Sequence, residues 1–391
     1  MRVAVIGGGA LGSACALFLR RLDRTIDVQV IEPDPTLRWA SSARSAASIR
    51  QQFSNALNVR LSQFGLQLLR EPREWLAVDG EPSPELGFVE SGYLMLATTA
   101  AGAQVLRDSH AVQRAVGAPV VLLDADALAR RLPWLRGDDI TLASLGQGGE
   151  GWFDGDAFTR ALSRKARALG TTWRSGRVSA FVREAGPLRA VVLDDGSRVE
   201  ADAFVLATGA WSQAVGALGG LRVPVVGRRR TVFAFSCPTP LPRTPLVADA
   251  SGVWFRSEGA GFIGGWTPRA GDDDPDNPPL DQPDLQQFDE RLWPALAHRV
   301  PAFEALRRTG AWDGWYEVHP MDHNGLVGPH PDCANLLLAC GFSGHGLQHA
   351  AGIGRGVAEW IVHGGYRSLE LAPLSPARVA AQRPWVERAI I

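Results

Sequence analysis

The chain has 391 residues, 46% of them hydrophobic and 21% charged, an ordinary balance for a globular protein with room for two domains around a substantial core. Its formal net charge of -1 offers no basic surface for nucleic acid or an anionic membrane. Cys15, Cys237, Cys333 and Cys340 form no CxxC pair and Lys165 is the single lysine, which argues against a cysteine zinc site, a disulfide framework, a Walker loop or lysine Schiff-base chemistry and fits a reducing, cytoplasmic setting.

In chain order, residues 2–6 are a β-branched run, 10–21 read as a helix and 27–31 as a second apolar run, together a βαβ unit. The three glycines at 7–9 interrupt what would otherwise resemble a secretory leader. A strand follows at 92–97 and a helix at about 103–115. Residues 156–169 form a helix capped by Asp154 or Asp156. Strands are expected at 177–182, 188–193 and 203–207, with a turn at Asp195-Gly196. A second sheet takes 223–235, 252–256 and 261–265, and a proline-rich acidic loop spans 271–284. That loop lacks the glycine and terminal glutamate of a calcium site. A strand at 336–339 leads into a helix at 347–362. No apolar run reaches 18 residues, so no membrane-spanning helix is expected.

The chemistry starts at Gly7-x-Gly9-x-x-Gly12. The first glycine permits a tight turn, the second lets backbone approach a pyrophosphate, and the third lets helix pack on strand. The pyrophosphate then faces free N–H groups at a helix N-terminus. Glu32, 20 residues beyond Gly12, is placed to accept from a ribose with a free 2′-hydroxyl. The fingerprint does not separate NAD from FAD, but two later segments suit a flavin. RVEADAFVLATGAWS brings a strand into an Ala-Thr-Gly turn containing Ala207 and Gly209. CGFSGHGLQHAAGIGRGVAEW opens a second helix with glycines, and amides at 344–347 would stabilise negative charge on a reduced flavin ring.

Five segments make the chain resemble the D-amino acid oxidase superfamily, in the branch holding sarcosine oxidase, glycine oxidase and D-amino acid dehydrogenase. They are VAVIGGGALGSACALFL, SSARSAASIRQQFS, GWFDGDAFTRAL, VLATGAWS, and YEVHPMDHNGLVG with its trailing GFSGHGLQHAAGIGRGVAE. The resemblance implies an α/β (overall α+β) architecture: a Rossmann-type FAD domain in pieces 1–85, 146–222 and 316–391, with a mixed or antiparallel-sheet substrate domain inserted as 86–145 and 223–315. It implies cofactor contacts from Ala10, Leu11, Ser42, Arg44, Ser45, Ala46, Val178, Trp211, Gly341, Gly344, His345, Gly346, Leu347 and Gln348, besides the residues already named.

The same resemblance makes Arg50 the partner of a substrate carboxylate, a role that suits the planar guanidinium fork. It places His345 beside the flavin, as a structural hydrogen bonder more readily than a base, and Tyr316 and Gln348 where relatives carry an arginine and a lysine. The cysteine that tethers flavin in sarcosine oxidases falls at Gly314, so FAD is expected to bind non-covalently. The lysine that activates oxygen there falls at about Ile263, which leaves the electron acceptor open between oxygen and a quinone or other carrier.

Other constellations carry less. His319 and His323 stand four apart, but Pro320 and the lack of an intervening glutamate argue against a zinc protease helix, and no metal is expected. No GxSxG elbow accompanies Ser45 or Ser343. Trp254 and Trp266 are candidate pocket walls, and one of Arg228, Arg229 and Arg230 could face an anionic substrate. The expected activity is hydride transfer from an amine-bearing carbon, in an amino acid or N-alkyl amino acid, to flavin N5, with the imine then hydrolysed. Alternatives are a hydroxy-acid-type oxidation on the same scaffold, a flavin-binding assembly factor or subunit with little turnover, and an NAD-dependent dehydrogenase.

Overall fold

The apolar run at the start of the chain becomes the strand Arg2–Ile6, whose residues Val3 to Ile6 are buried on both faces, as a central parallel strand requires. It pairs in parallel with Asp27–Glu32 on one side and with Ala203–Leu206 on the other. Thr172–Ser175 extends one edge, Cys333–Cys340 the other, and Leu326–His330 closes that edge antiparallel. The structure, a computed structural model, describes residues 1–184, 186–268 and 280–389.

The strand order runs outward from Arg2–Ile6 in both directions, so the connections reverse between this strand and Ala203–Leu206. Ligands of open α/β sheets bind at such a switch point, beyond the carboxyl ends of the strands. Helix Ala10–Leu22 packs on the sheet and against Gly346–His363, close enough that a Cβ on Gly354 would lie 2.5 Å from the Ala14 carbonyl carbon. Small residues on the two glycine-opened helices thus let them run together from one end.

Between visits to this sheet, the chain builds an eight-stranded mixed sheet, in order Arg307–Val318, Val226–Ser236, Gly261–Trp266, Val253–Glu258, Leu246–Ala248, Tyr93–Ala97, Leu142–Gly146 and Val120–Leu123. All its pairings are antiparallel except Leu246–Ala248 with Tyr93–Ala97. One face buries Phe233, Phe235, Val253 and Phe255 against Phe288, Leu292, Leu296 and Phe303. The period-2 alternation of the strands then turns Arg230, Val232 and Trp254 toward the first sheet.

The expected elements recur with shifts of a few residues at their ends. The helix 156–169 is Gly155–Ala168, capped by Asp154, whose carboxylate accepts from Ala157 N–H at 2.9 Å. Helix Ala56–Arg70 and strands Thr172–Ser175 and Leu326–His330 are additions with no counterpart in the sequence reading. Of the acidic loop 271–284, residues 271–279 lie outside the described residues. Among the described residues, no helix is long and apolar enough to cross a membrane.

Candidate functional site

One cavity of about 840 Å³ opens at the switch point, and both glycine-rich turns line it: Gly7, Gly9, Ala10 and Leu11 from the N-terminal turn, and residues 343–348 from the C-terminal one. Gly7 has φ +101° and lies so near the neighbouring strand that a Cβ would come within 2.4 Å of Ala207 O. Only glycine allows that approach. Helix Ala10–Leu22 begins at Gly9 with no side-chain cap and no acid in its first turn. Gly346–His363 begins in the same way at His345. Two sets of uncapped helix N–H groups, each at the positive end of a long helix, therefore face one space.

Glu32 lines the cavity at the end of its strand and accepts from Gly8 N–H at 2.7 Å and Asp34 N–H at 2.9 Å. Burial raises its carboxyl above the usual range, against the pull of those two donors. Ser42, Arg44, Ser45, Ala46, Val178, Ala207, Gly209 and Trp211 line the cavity as well. Arg44 is fixed by donation to the carbonyls of Arg38 (2.9 Å) and Asp313 (2.8 Å) and lies over the Trp39 ring, while Ser45 Oγ accepts from Ala47 N–H at 2.9 Å. Gly314 lines the wall against Arg44, where a Cβ would be 3.2 Å from Arg44 Cβ, and carries no thiol.

A dinucleotide fits what these residues leave unsatisfied. Ser42 Oγ, Ser48 Oγ and His345 Nε2 are buried without a hydrogen-bond partner, and all three residues line the cavity. Buried polar atoms are nearly always paired, so the orphans mark where a polar ligand belongs.

The end beneath the eight-stranded sheet differs in character. Its walls include Tyr93, Leu246, Trp254 and Trp266, with Arg50, Arg230, Thr267, Asp281, Tyr316 and Gln348 among the polar groups. Arg50 is 5% exposed. Its backbone N–H donates to Gln348 Oε1 at 2.9 Å, and its guanidinium donates to the carbonyls of Gln52 and Ala389 and lies 3.9 Å from the Phe53 ring centre. Gln348 Oε1 also accepts from Ser62 Oγ at 3.1 Å, leaving the amide NH2 as the group free to donate. Tyr316 OH donates to Ser343 O at 2.5 Å. His345 and the neighbouring His349 are both driven well below the ordinary imidazole range, by burial first. His345 is further lowered by Arg50, so it sits neutral beside the cavity.

Two of the expected cofactor contacts stand back from the cavity wall. Gly12 does not line the cavity: a Cβ there would fall 1.9 Å from Gly7 O, which makes Gly12 the contact between helix and turn. Gly341 does not line it either; at φ +81° it turns the chain, donates to Glu317 Oε2 at 2.8 Å and packs against Val225. Ile263 is 3% exposed and absent from the cavity wall, as is its cross-strand neighbour Arg256, whose guanidinium donates to Ala46 O at 2.8 Å. His319, the other half of the rejected zinc pair, is buried against Asp322 at 2.8 Å. The sequence reading missed Thr208 and Glu317 as lining residues. Thr208 lies inside the Ala-Thr-Gly turn already singled out, and Glu317 lies inside the YEVHPMDHNGLVG segment, where only its burial against the cavity marks it out.

A Rossmann-type crevice with a second helix end opposite and a sheet-walled chamber beyond is the arrangement of a flavoprotein oxidoreductase. The family profile described as FAD dependent oxidoreductase, DAO, matches residues 2–360, and the chain belongs to this family. It is 38% identical to FAD-dependent oxidoreductase domain-containing protein 1 of Xenopus laevis, over 100% of this chain and 84% of that protein. Glycine oxidase of Geobacillus kaustophilus is 26% identical over 96% of each chain. The solved structure of L-proline dehydrogenase from P. horikoshii superposes with a TM-score of 0.84 at 25% identity, covering 98% of each chain. The cofactor of this family is FAD, and the orphaned polar atoms and uncapped helix ends suit it.

Proposed function

We propose that the chain oxidises a carboxylate-bearing amine, an amino acid or N-alkyl amino acid, at the carbon next to nitrogen, with FAD held non-covalently. The observation that carries the reading is Arg50. Arg50 is buried and lines the cavity, and its guanidinium has no carboxylate within ion-pair reach among the described residues; its partners are two backbone carbonyls and a phenyl face. A buried cation left without an anion is costly, and a ligand carboxylate would relieve that cost while fixing orientation.

Bound FAD supplies the hydride acceptor, and the imine product hydrolyses after release. The chain's own residues do the rest. Arg50 and the Gln348 amide would hold the carboxylate. Tyr93, Leu246 and Trp254 exclude water on the sheet side. With a cation nearby and apolar walls, the site favours the neutral amine over the ammonium, as departure of a hydride requires. The helix end at residues 346–348 would stabilise negative charge arriving in the cavity, and neutral His345 offers Nε2 as a hydrogen-bonding atom rather than a charge.

The test is anaerobic mixing of the holoenzyme with D-, L- and N-methyl amino acids while the flavin absorbance is followed. Bleaching by a member of the panel is expected. Bleaching by 2-hydroxy acids alone would overturn the amine assignment.

A further inference from the structure

Arg50 is not held by its own neighbourhood alone. Residues 384–389 return across the molecule to reach it. Trp385 N–H donates to Asp322 Oδ2 at 2.9 Å and Glu387 N–H to Asp322 O at 3.1 Å, which fixes the direction of the segment. Glu387, 1% exposed, then points its carboxylate inward. One oxygen accepts from Ser54 N–H (2.8 Å), Ser54 Oγ (2.7 Å) and Ala389 N–H (2.9 Å); the other accepts from the Asn55 and Asn58 amides at 3.1 and 2.9 Å. The Ala389 carbonyl accepts from Arg50 Nη2 at 2.5 Å.

Two opposite charges are thus buried in one place without forming an ion pair. Glu387 is surrounded by neutral donors, and Arg50 by neutral acceptors. Ala389 stands between them, its N–H on the carboxylate and its C=O on the guanidinium. Had Glu387 paired directly with Arg50, the guanidinium would be neutralised and closed to any other anion. Spaced by one residue, the carboxylate holds the peptide that orients Arg50 and leaves its charge available. Ala389 also packs against the buried cluster of Tyr93, Met95 and Leu246.

We infer that Glu387 is a positioning residue for the substrate-carboxylate site, acting through Ala389 to aim Arg50. The inference rests on the proposed role of Arg50. It belongs to the tertiary structure alone, since Arg50 and Ala389 are 339 positions apart.

The experiment titrates the FAD-loaded protein with benzoate and with its uncharged counterpart benzamide, reading the visible flavin spectrum. In Glu387→Gln, benzoate binding should weaken by about tenfold, the scale of one misdirected charge-assisted hydrogen bond, with benzamide affinity and FAD content close to wild type and a lower thermal midpoint, because the amide NH2 then faces buried donors. Ser54→Ala, which removes one hydroxyl donor from the carboxylate, is the milder second variant and should shift benzoate in the same direction by about threefold. Unchanged benzoate binding in variants that keep their FAD would overturn the inference while leaving the carboxylate site standing. So would tighter benzoate binding, which would make Ala389 a competitor for Arg50, or equal losses for both ligands, which would mark a purely structural role. A wild-type protein that holds FAD but ignores benzoate would overturn the carboxylate reading itself, and this inference with it.

Discussion

Gly344→Ala should unsettle the site by a calculable amount. Gly344 has φ +87°, and a Cβ built on it would lie 2.4 Å from both Cε2 and OH of Tyr316. Left-handed backbone costs a non-glycine residue about 1–2 kcal/mol, and overpacking a filled site adds about 1–3 kcal/mol. Together these cost about 2–5 kcal/mol, and displacing the ring adds about 0.5–1.5 kcal/mol if the Tyr316–Ser343 hydrogen bond is lost. Gly364 provides the control. It follows Gly346–His363 at φ +72° with nothing within 4 Å of its Cβ position, so Gly364→Ala should cost about 1 kcal/mol from the backbone alone. Urea midpoints followed by tryptophan fluorescence measure both, and absorbance of the protein-bound flavin reports whether the C-terminal turn still shapes its site. Adding Tyr316→Ala should recover the overpacking share of the Gly344→Ala penalty. Equal losses in the two alanine variants, or no recovery with Tyr316→Ala, would refute the argument that the turn and Tyr316 are mutually packed.

Three further outcomes are expected. Acid precipitation should leave all the FAD in the supernatant, since Gly314 supplies no thiol; yellow pellet protein would contradict non-covalent binding. Arg50→Met should raise KM for a carboxylated substrate by about 10–100-fold with a smaller change in kcat, and steady-state kinetics on whichever amine bleaches the flavin would show it; an unchanged KM would remove Arg50 from the site. Glu150 is fully buried, and burial pushes its carboxyl up to about 7 despite donors from Gln51 and Gln52. Because its folded pKa is raised, the stability it contributes is present below its unfolded value of about 4.5 and is lost as pH rises through about 7. Glu150→Gln does not titrate, so its stability relative to wild type should improve by about 2 kcal/mol between pH 5 and pH 8. Urea midpoints of the two proteins that run parallel across that range would contradict the assignment.

The separation between local and distant information is plain in particular residues. Gly7, Gly9 and Gly12 announce their turn because strand, turn and helix are consecutive in the chain, and the required φ and close approach at Gly7 leave glycine as the only solution. The 343–348 turn is readable for the same reason, with a strand before it and an apolar helix after it. Gly341 illustrates the limit: a glycine in the same motif serves the turn rather than the cavity, and only the position of Val225 and Glu317 shows which. Thr172–Ser175 and Leu326–His330 were invisible because TWRS is half-exposed and mixed in character and LVGPH carries a glycine and a proline, so neither shows an apolar run, and pairing with neighbouring strands defines them.

The amino-acid sequence by itself determined the dinucleotide crevice, the presence of a second glycine-opened helix end and the kinds of side chain available to the substrate, because hydrophobic period and backbone permissiveness act over a few consecutive residues. Only the tertiary structure decided that the two helix ends share one cavity and that Arg50 is buried without an ion-pair partner. It alone placed a peptide from the far end of the chain between Arg50 and Glu387. Such contacts depend on which surfaces become neighbours when the sheets close over each other, and nothing in the local pattern around residue 50 records what residue 389 will do.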